Sequence, residues 1–325
     1  MSKAQEETPD FVAPAEAKGA YRGAPFTLFV TIVCVLVFIG EVWMTLVGDT
    51  LTWGNFGKAV VAIPPDVAMA FGANYATSSL YEGRVDTLVT SCFVHFGVLH
   101  ILFNLYGLRQ IGPFLEHEVG TGRVSVLYVG AGVVGSMVSA LSVWHAQAQG
   151  VGAGASGALC GLIGATVVVG YRTQGWRSPL MLTMAIWLAL TLILGKLGGF
   201  DNAAHGGGAV AGGLIAVLWR RGAEPRPLRI LSLVVAIGTV VAAGGAVLYN
   251  DVKRPFATMS APDRLKYAQQ AALLGACDDA WAAARSARRL AGRSAEVLQT
   301  VQYVRVQCGQ DPHAPRGLDA GGASQ

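Results

Sequence analysis

Residues 26–47 read FTLFVTIVCVLVFIGEVWMTLV. A spanning helix needs about 20 consecutive, mostly apolar residues, and this run provides them with one ionisable side chain, Glu41. Outward from it the chain repeats the pattern. Further apolar stretches run over 98–111, 124–144, 156–171, 179–195, 203–219 and 228–248. The composition agrees: of 325 residues 53% are hydrophobic, 14% are charged and 42 are glycine, and the mean hydropathy is +0.47. An ordinary soluble domain has about 25% charged residues, so these values argue against a single soluble globule and against intrinsic disorder. A net charge of +4 leaves no electrostatic footprint for nucleic acid, and five cysteines make no disulfide framework. The sequence therefore reads as an all-α polytopic membrane protein with seven spans.

Orientation follows from Lys and Arg in the short loops. Arg109 and Arg123 flank the second connection, Arg172 and Arg177 the fourth, and Arg220, Arg221, Arg226 and Arg229 the sixth. The third carries no Lys or Arg and the fifth only Lys196. The expected topology puts the polar segment 1–25 in the cytoplasm and the tail after the seventh span outside. The segment 48–97 also lies outside, and Trp53, Phe56, Phe71 and Tyr75 suggest that it sits partly in the interface. Glu6, Glu7, Asp10 and Glu16 argue against a mitochondrial transit peptide, and the first span is too long for a cleaved signal. A bacterial inner membrane is the expected location.

Polar groups inside a bilayer are costly and point to function. His100 and Asn104 lie four residues apart in HILFN, on one helical face. Ser156 opens the fourth span in GASG, and His205 opens the sixth in AAHGGG. Spans two, four and six all start on the outer side, so His100, Ser156 and His205 share one depth. The chemistry that fits is acyl transfer: Ser156 as nucleophile, His205 as its base. The oxyanion would be met by backbone N–H groups at the start of the fourth span, with side-chain donors from His100 and Asn104. No acid is placed to orient His205, so the reading is a dyad. Glycines at 157, 161 and 164, and at 208 and 212, give spans four and six small-residue faces that let them touch. Against this, Ser156 alone would serve as a helix cap, and His100, Asn104 and His205 as polar contacts between helices. Glu41 reads as an interfacial residue, His95 as structural, and His117, His145 and His313 as surface residues. His100 and His205 lack the carboxylate or thiolate companions of a metal site.

With these motifs the chain resembles the rhomboid family of intramembrane serine proteases. HxxxN (His100, Asn104), GxSG (Gly154, Ser156, Gly157) and AHxxG (Ala204, His205, Gly208), with Gly212 beyond, stand in the family's order. Phe71-Gly72-Ala73, Thr90-Ser91, His95, Gly112, Glu116 and Gly120 match as well. The resemblance covers about residues 71–218. It implies a six-helix core (26–220), to which this chain adds a seventh span (221–249). It implies cleavage of single-span membrane proteins by Ser156 and His205, an oxyanion hole from the Ser156 amide, His100 and Asn104, no cofactor, and a substrate gate near span five and residues 196–201. Two positions depart from the family: Asp86-Thr87 replace a usual Trp-Arg, and Cys160 stands where many members have Tyr. The alternatives are a catalytically silent relative that binds and escorts membrane proteins, and a small-solute transporter. The second would show inverted repeats, which the sequence lacks.

The tail, 250–325, is a polar segment. Ala-rich stretches 263–274, 278–291 and 294–307, punctuated by Gly275 and Gly292, read as a small helical unit with a disordered end after 310. Its partner is unknown. Cys277 and Cys308 lie in it and, if it is outside, pair as a disulfide or remain two thiols. Cys34, Cys92 and Cys160 read as buried hydrophobes.

Overall fold

The computed structural model describes residues 23–47, 53–146, 150–219, 224–253, 259 and 261–312. The N-terminal segment 1–22, Arg220, Arg221 and His313 therefore lie outside the described residues. Helix α1 (Pro25–Val47) leads into a connection of short elements before the next long helix: α2 (Trp53–Val61), α3 (Pro65–Ala70), strand β1 (Asn74–Tyr75), α4 (Ala76–Tyr81) and α5 (Thr87–Thr90). Then come α6 (Val98–Val119), α7 (Thr121–His145), strand β2 (Val151–Gly152), α8 (Ser156–Gln174), α9 (Pro179–Gly198), α10 (Asn202–Leu218) and α11 (Arg226–Lys253). The tail forms α12 (Ala261–Leu273), α13 (Cys277–Ala291) and α14 (Ala295–Cys308). The protein is an all-α, multi-pass membrane protein.

By length and apolar content alone, four of the described helices can cross a membrane: Pro25–Val47, Thr121–His145, Pro179–Leu197 and Arg226–Asn250. Helix α10 is apolar but shorter. Helix α8 is less apolar because it need not face lipid along its whole length. Every residue of α8 from Gly157 to Thr166 is buried by its neighbours. Helix α6 runs past the expected end at 111, through Pro113 to Val119, and its polar end has a structural task. The Glu116 carboxylate accepts the backbone N–H of Phe26 at 3.3 Å and of Thr27 at 2.6 Å, at the first turn of α1. The same device recurs at α7. There Glu224 accepts the Gly122 N–H at 3.1 Å. At the opposite polarity, Arg172 from the end of α8 donates to the carbonyls of Ala216 (2.8 Å) and Trp219 (3.1 Å), at the end of α10. Helix ends leave N–H and C=O groups unpaired, and carboxylates suit the positive end while guanidinium suits the negative one.

The connection between α1 and α6 folds over the end of α1. Ile63, Val67, Ala68, Ala73 and Val94 form a small core against Val37, Phe38 and Val42. This corrects the expectation for Glu41. It is fully buried rather than interfacial and accepts the His95 backbone N–H at 3.3 Å, because residues 93–96 close over it. His95 is buried, with Nδ1 on the Phe93 carbonyl at 3.1 Å. His117 and His145 are exposed. Asp86 and Thr87 are held locally: Arg84 Nε donates to both Asp86 oxygens, at 3.0 and 3.2 Å, and the Thr87 hydroxyl donates to the Arg84 carbonyl at 2.7 Å.

Helices α8 and α10 meet backbone to backbone. A Cβ at Gly208 would lie 2.0 Å from the Gly157 carbonyl oxygen, one at Gly212 2.0 Å from that of Gly161, and one at Gly164 2.1 Å from that of Ala209. A Cβ at Gly161 would fall 2.2 Å from the Ala131 side chain on α7. Only glycine permits such an approach. By contrast, a Cβ at Gly206 meets nothing within 4 Å. Gly212→Ala is therefore expected to lower the melting temperature of the detergent-solubilised protein, at a cost of about 1–3 kcal/mol or more for overpacking. Gly206→Ala should leave it unchanged or slightly raised, since alanine is the better helix former.

Candidate active site

The loop before α8 is fixed from two sides. Strand β2 pairs antiparallel with β1, Asn74 opposite Gly152 and Tyr75 opposite Val151. The Gly154 amide then donates to the Ser91 carbonyl at 2.8 Å. Gly154 has φ +118°, a conformation that disfavours side chains, and a Cβ there would lie 2.6 Å from His100 Nε2. Ser156 follows as the first residue of α8. Its Oγ lies 2.9 Å from Nε2 of His205, in the first turn of α10. His205 is buried, and its Nδ1 has no hydrogen-bond partner among the described residues. Asp201 stands one turn before His205, but its carboxylate is engaged elsewhere. It accepts the Ala204 N–H at 2.9 Å as the cap of α10 and takes a short hydrogen bond from the Ser139 hydroxyl.

His100 shows which nitrogen carries its proton. The Phe96 N–H donates to His100 Nδ1 at 3.3 Å, so in the neutral ring Nδ1 is the acceptor and Nε2 bears the hydrogen. That Nε2–H is the nitrogen facing the Gly154 loop. Asn104 lies one turn along the same helix and is buried. One of its amide hydrogens goes to the His100 carbonyl at 2.9 Å, which pins the side chain, and its Nδ2 lies 3.7 Å from where a Gly154 Cβ would be. The amides of the first turn of α8 have no intrahelical acceptor. Donors from three directions thus converge beside a serine hydroxyl that is hydrogen-bonded to an imidazole. The arrangement suits a nucleophile, a base and stabilisation of a developing oxyanion.

Ser156 also lines a small polar cleft, shared with Asn74, Ser91, Ser136, Ser139 and Asp201. Its polar walls are cross-linked: Asn74 Nδ2 donates to the Ser136 carbonyl at 2.7 Å, and the hydroxyls of Ser91 and Ser136 lie 3.1 Å apart. Cys160, at the position that departs from the family pattern, is buried within α8. Of the glycines singled out, 157, 161, 208 and 212 make the α8–α10 contact, whereas Gly154 shapes the loop. The sequence marks Asp201 only as the end of the expected gate segment 196–201 and gives Ser139 and Phe96 no role. The DN pair ahead of an apolar helix was a legible cap signal for Asp201; the other two carry no local signal.

Residues 82–222 match the family model described as Rhomboid domain. This region is a rhomboid domain. It encloses the whole constellation of His100, Asn104, Gly154, Ser156 and His205. RHOMBOID-like protein 5 of Arabidopsis thaliana is 37% identical over 134 residues, which are 40% of this chain and 43% of that protein. Rhomboid protease GluP of Bacillus subtilis (strain 168) is 30% identical over 184 residues, 54% of this chain and 34% of its own length. Rhomboid-like protease 2 of Toxoplasma gondii is 27% identical over 187 residues, 57% of this chain and 64% of its own. The chain spans less than half the length of the plant relatives it matches. Rhomboid proteins thus include proteases among the relatives of this chain.

Within the rhomboid domain the Asp201 cap is testable apart from catalysis. Asp201→Ala is expected to destabilise the protein by about 0.5–2 kcal/mol in thermal melts, and Asp201→Asn by much less, because asparagine caps nearly as well.

Proposed function

We propose that the chain is an intramembrane serine endopeptidase acting through a Ser156–His205 dyad. The observation that carries the reading is the 2.9 Å approach of His205 Nε2 to Ser156 Oγ, beside the Nε2–H of His100. In this reading Ser156 Oγ attacks the scissile carbonyl while His205 takes its proton. The oxyanion is received by the Ser156 amide, His100 Nε2–H and Asn104. His205 then protonates the leaving amine, and a water, activated by the same imidazole, hydrolyses the acyl-enzyme. The free Nδ1 of His205 and the commitment of Asp201 to Ala204 and Ser139 support a dyad rather than a triad. Serine and histidine suffice for this chemistry, so no metal or organic cofactor is called for. The substrates are single-span membrane proteins, whose cleaved carbonyl must reach the outer ends of α6, α8 and α10.

The same reading places the site on the face opposite the arginine-bearing connections, in a bacterial inner membrane with a cytoplasmic N-terminus. It divides the chain into a cytoplasmic segment (1–25), a core (26–220), a linker with the seventh span (221–249) and an extracytoplasmic tail (250–325).

Two measurements test it. A serine-directed fluorophosphonate should label the wild type, and neither Ser156→Ala nor His205→Ala; loss of the nucleophile or base should lower cleavage of a single-span test substrate by about 10⁴-fold or more. Cleavage by Ser156→Ala would refute the mechanism. A wild type that binds the substrate yet never labels would be a silent relative. Asn104→Ala should lower kcat about 10²–10³-fold with little change in KM, as expected for a donor used mainly in the transition state.

A further inference from the structure

The tail has a built contact with the membrane domain, and it lies on the connection that carries β1. Arg264, in the first turn of α12, is completely buried. Its Nη1 reaches Glu82 Oε1 at 2.6 Å and its Nη2 reaches Ser78 Oγ at 3.2 Å, so one guanidinium holds the middle of α4 and the residue just past its end. Nε donates to the Met259 carbonyl at 2.8 Å, fixing the entry to the tail. Ser286 of α13 makes short hydrogen bonds with both Glu82 and Arg264. Behind this latch the tail has its own core, in which Trp281 packs among Ala268, Ala271, Ala280 and Ala284. Cys277 and Cys308 are bridged, with Cα atoms 5.4 Å apart, and tie the start of α13 to the end of α14.

From the latch a continuous series of contacts leads to the Ser156 loop. Ser78 neighbours Ser79, whose hydroxyl donates to Asn74 Oδ1 at 2.5 Å and also meets Thr87 Oγ1 at 2.8 Å. Asn74 is in β1, opposite Gly152 in β2. Two residues beyond Gly152 is Gly154, whose conformation sets the distance between His100 and the loop. The α4 segment held by Arg264 is thus the support of the strand pair that delivers Ser156.

We infer that Arg264 is a positioning residue. Docking of the tail through it holds β1 against β2, and so holds the Gly154–Ser156 loop in its reactive geometry. The inference rests on the proposed dyad for its effect on rate, but the structural link stands apart from it. A guanidinium suits the task because its fork reaches four acceptors, on Glu82, Ser78, Ser286 and Met259, in fixed directions, where an ammonium reaches them only in turn. Glu82 is almost as buried, at 8% side-chain exposure, and its other oxygen has no partner among the described residues. Arg264 supplies the cation that faces this buried carboxylate.

The test uses the full-length protein with Arg264→Lys, and with Arg264→Met where that variant accumulates. Hydrogen exchange of the amides at 74–76 and 151–155 is read beside the rate of fluorophosphonate labelling. Arg264→Lys is expected to speed exchange at those amides about tenfold, with Arg264→Met larger, while amides inside α7, α8 and α10 keep wild-type protection. Labelling should slow in the same order, and any fall in substrate turnover should lie in kcat rather than KM. Faster exchange confined to α12–α14, with 74–76, 151–155 and labelling unchanged, would overturn the inference. So would a labelling rate that rises when the latch is weakened, which would make the tail a brake. A wild type that never labels, combined with the predicted exchange pattern, would leave the latch standing and remove only the protease reading.

Discussion

The structure depends on a contact between two backbones. Helices α8 and α10 approach until the carbonyl of Gly157 lies where a side chain of residue 208 would be, and that of Gly161 where one of residue 212 would be. Ser156 and His205 sit at the N-terminal ends of these two helices, just before the first of the contacts. Their 2.9 Å separation is therefore a consequence of helix packing at glycine distance. In lipid no difference in apolarity drives helices together, so close van der Waals packing of small residues takes over that role. The same packing explains why α8 is only modestly apolar. It is wrapped by α6, α7, α9 and α10, and most of its surface never meets lipid.

The connection between α1 and α6 does for the loop what the glycines do for the helices. It closes over Glu41, pairs β1 with β2 and presents the Phe96 amide to His100. That amide settles the tautomer of an imidazole otherwise free to carry its proton on either nitrogen. The Asp86-Thr87 pair is held from within this segment. Here Arg84, two residues earlier, supplies the guanidinium to Asp86. The latch from the tail braces the neighbouring helix.

Much of this was legible in the sequence because it is periodic or local. Apolar runs of spanning length mark the helices. The four-residue spacing of His100 and Asn104 marks one face, and the glycines at 157, 161, 208 and 212 mark the two helices that touch. What was not legible depends on partners far apart in the chain. Glu116 and Thr27 are separated by 89 residues, Glu224 and Gly122 by 102, and Arg264 and Glu82 by 182. Each of these charged residues looks, in its local window, like an ordinary surface or loop residue. Glu41 misled for the same reason: its neighbours in sequence place it at the end of a span, and only the fold of residues 93–96 shows that this end is covered.

The most direct measurement is an experimental structure of the protein after reaction with a fluorophosphonate. The account predicts phosphorus on Ser156 Oγ, His205 Nε2 still beside that oxygen, and the phosphoryl oxygen within hydrogen-bond distance of His100 Nε2 and Asn104 Nδ2. An adduct on another residue, or a phosphoryl oxygen turned away from His100 and Asn104, would contradict it.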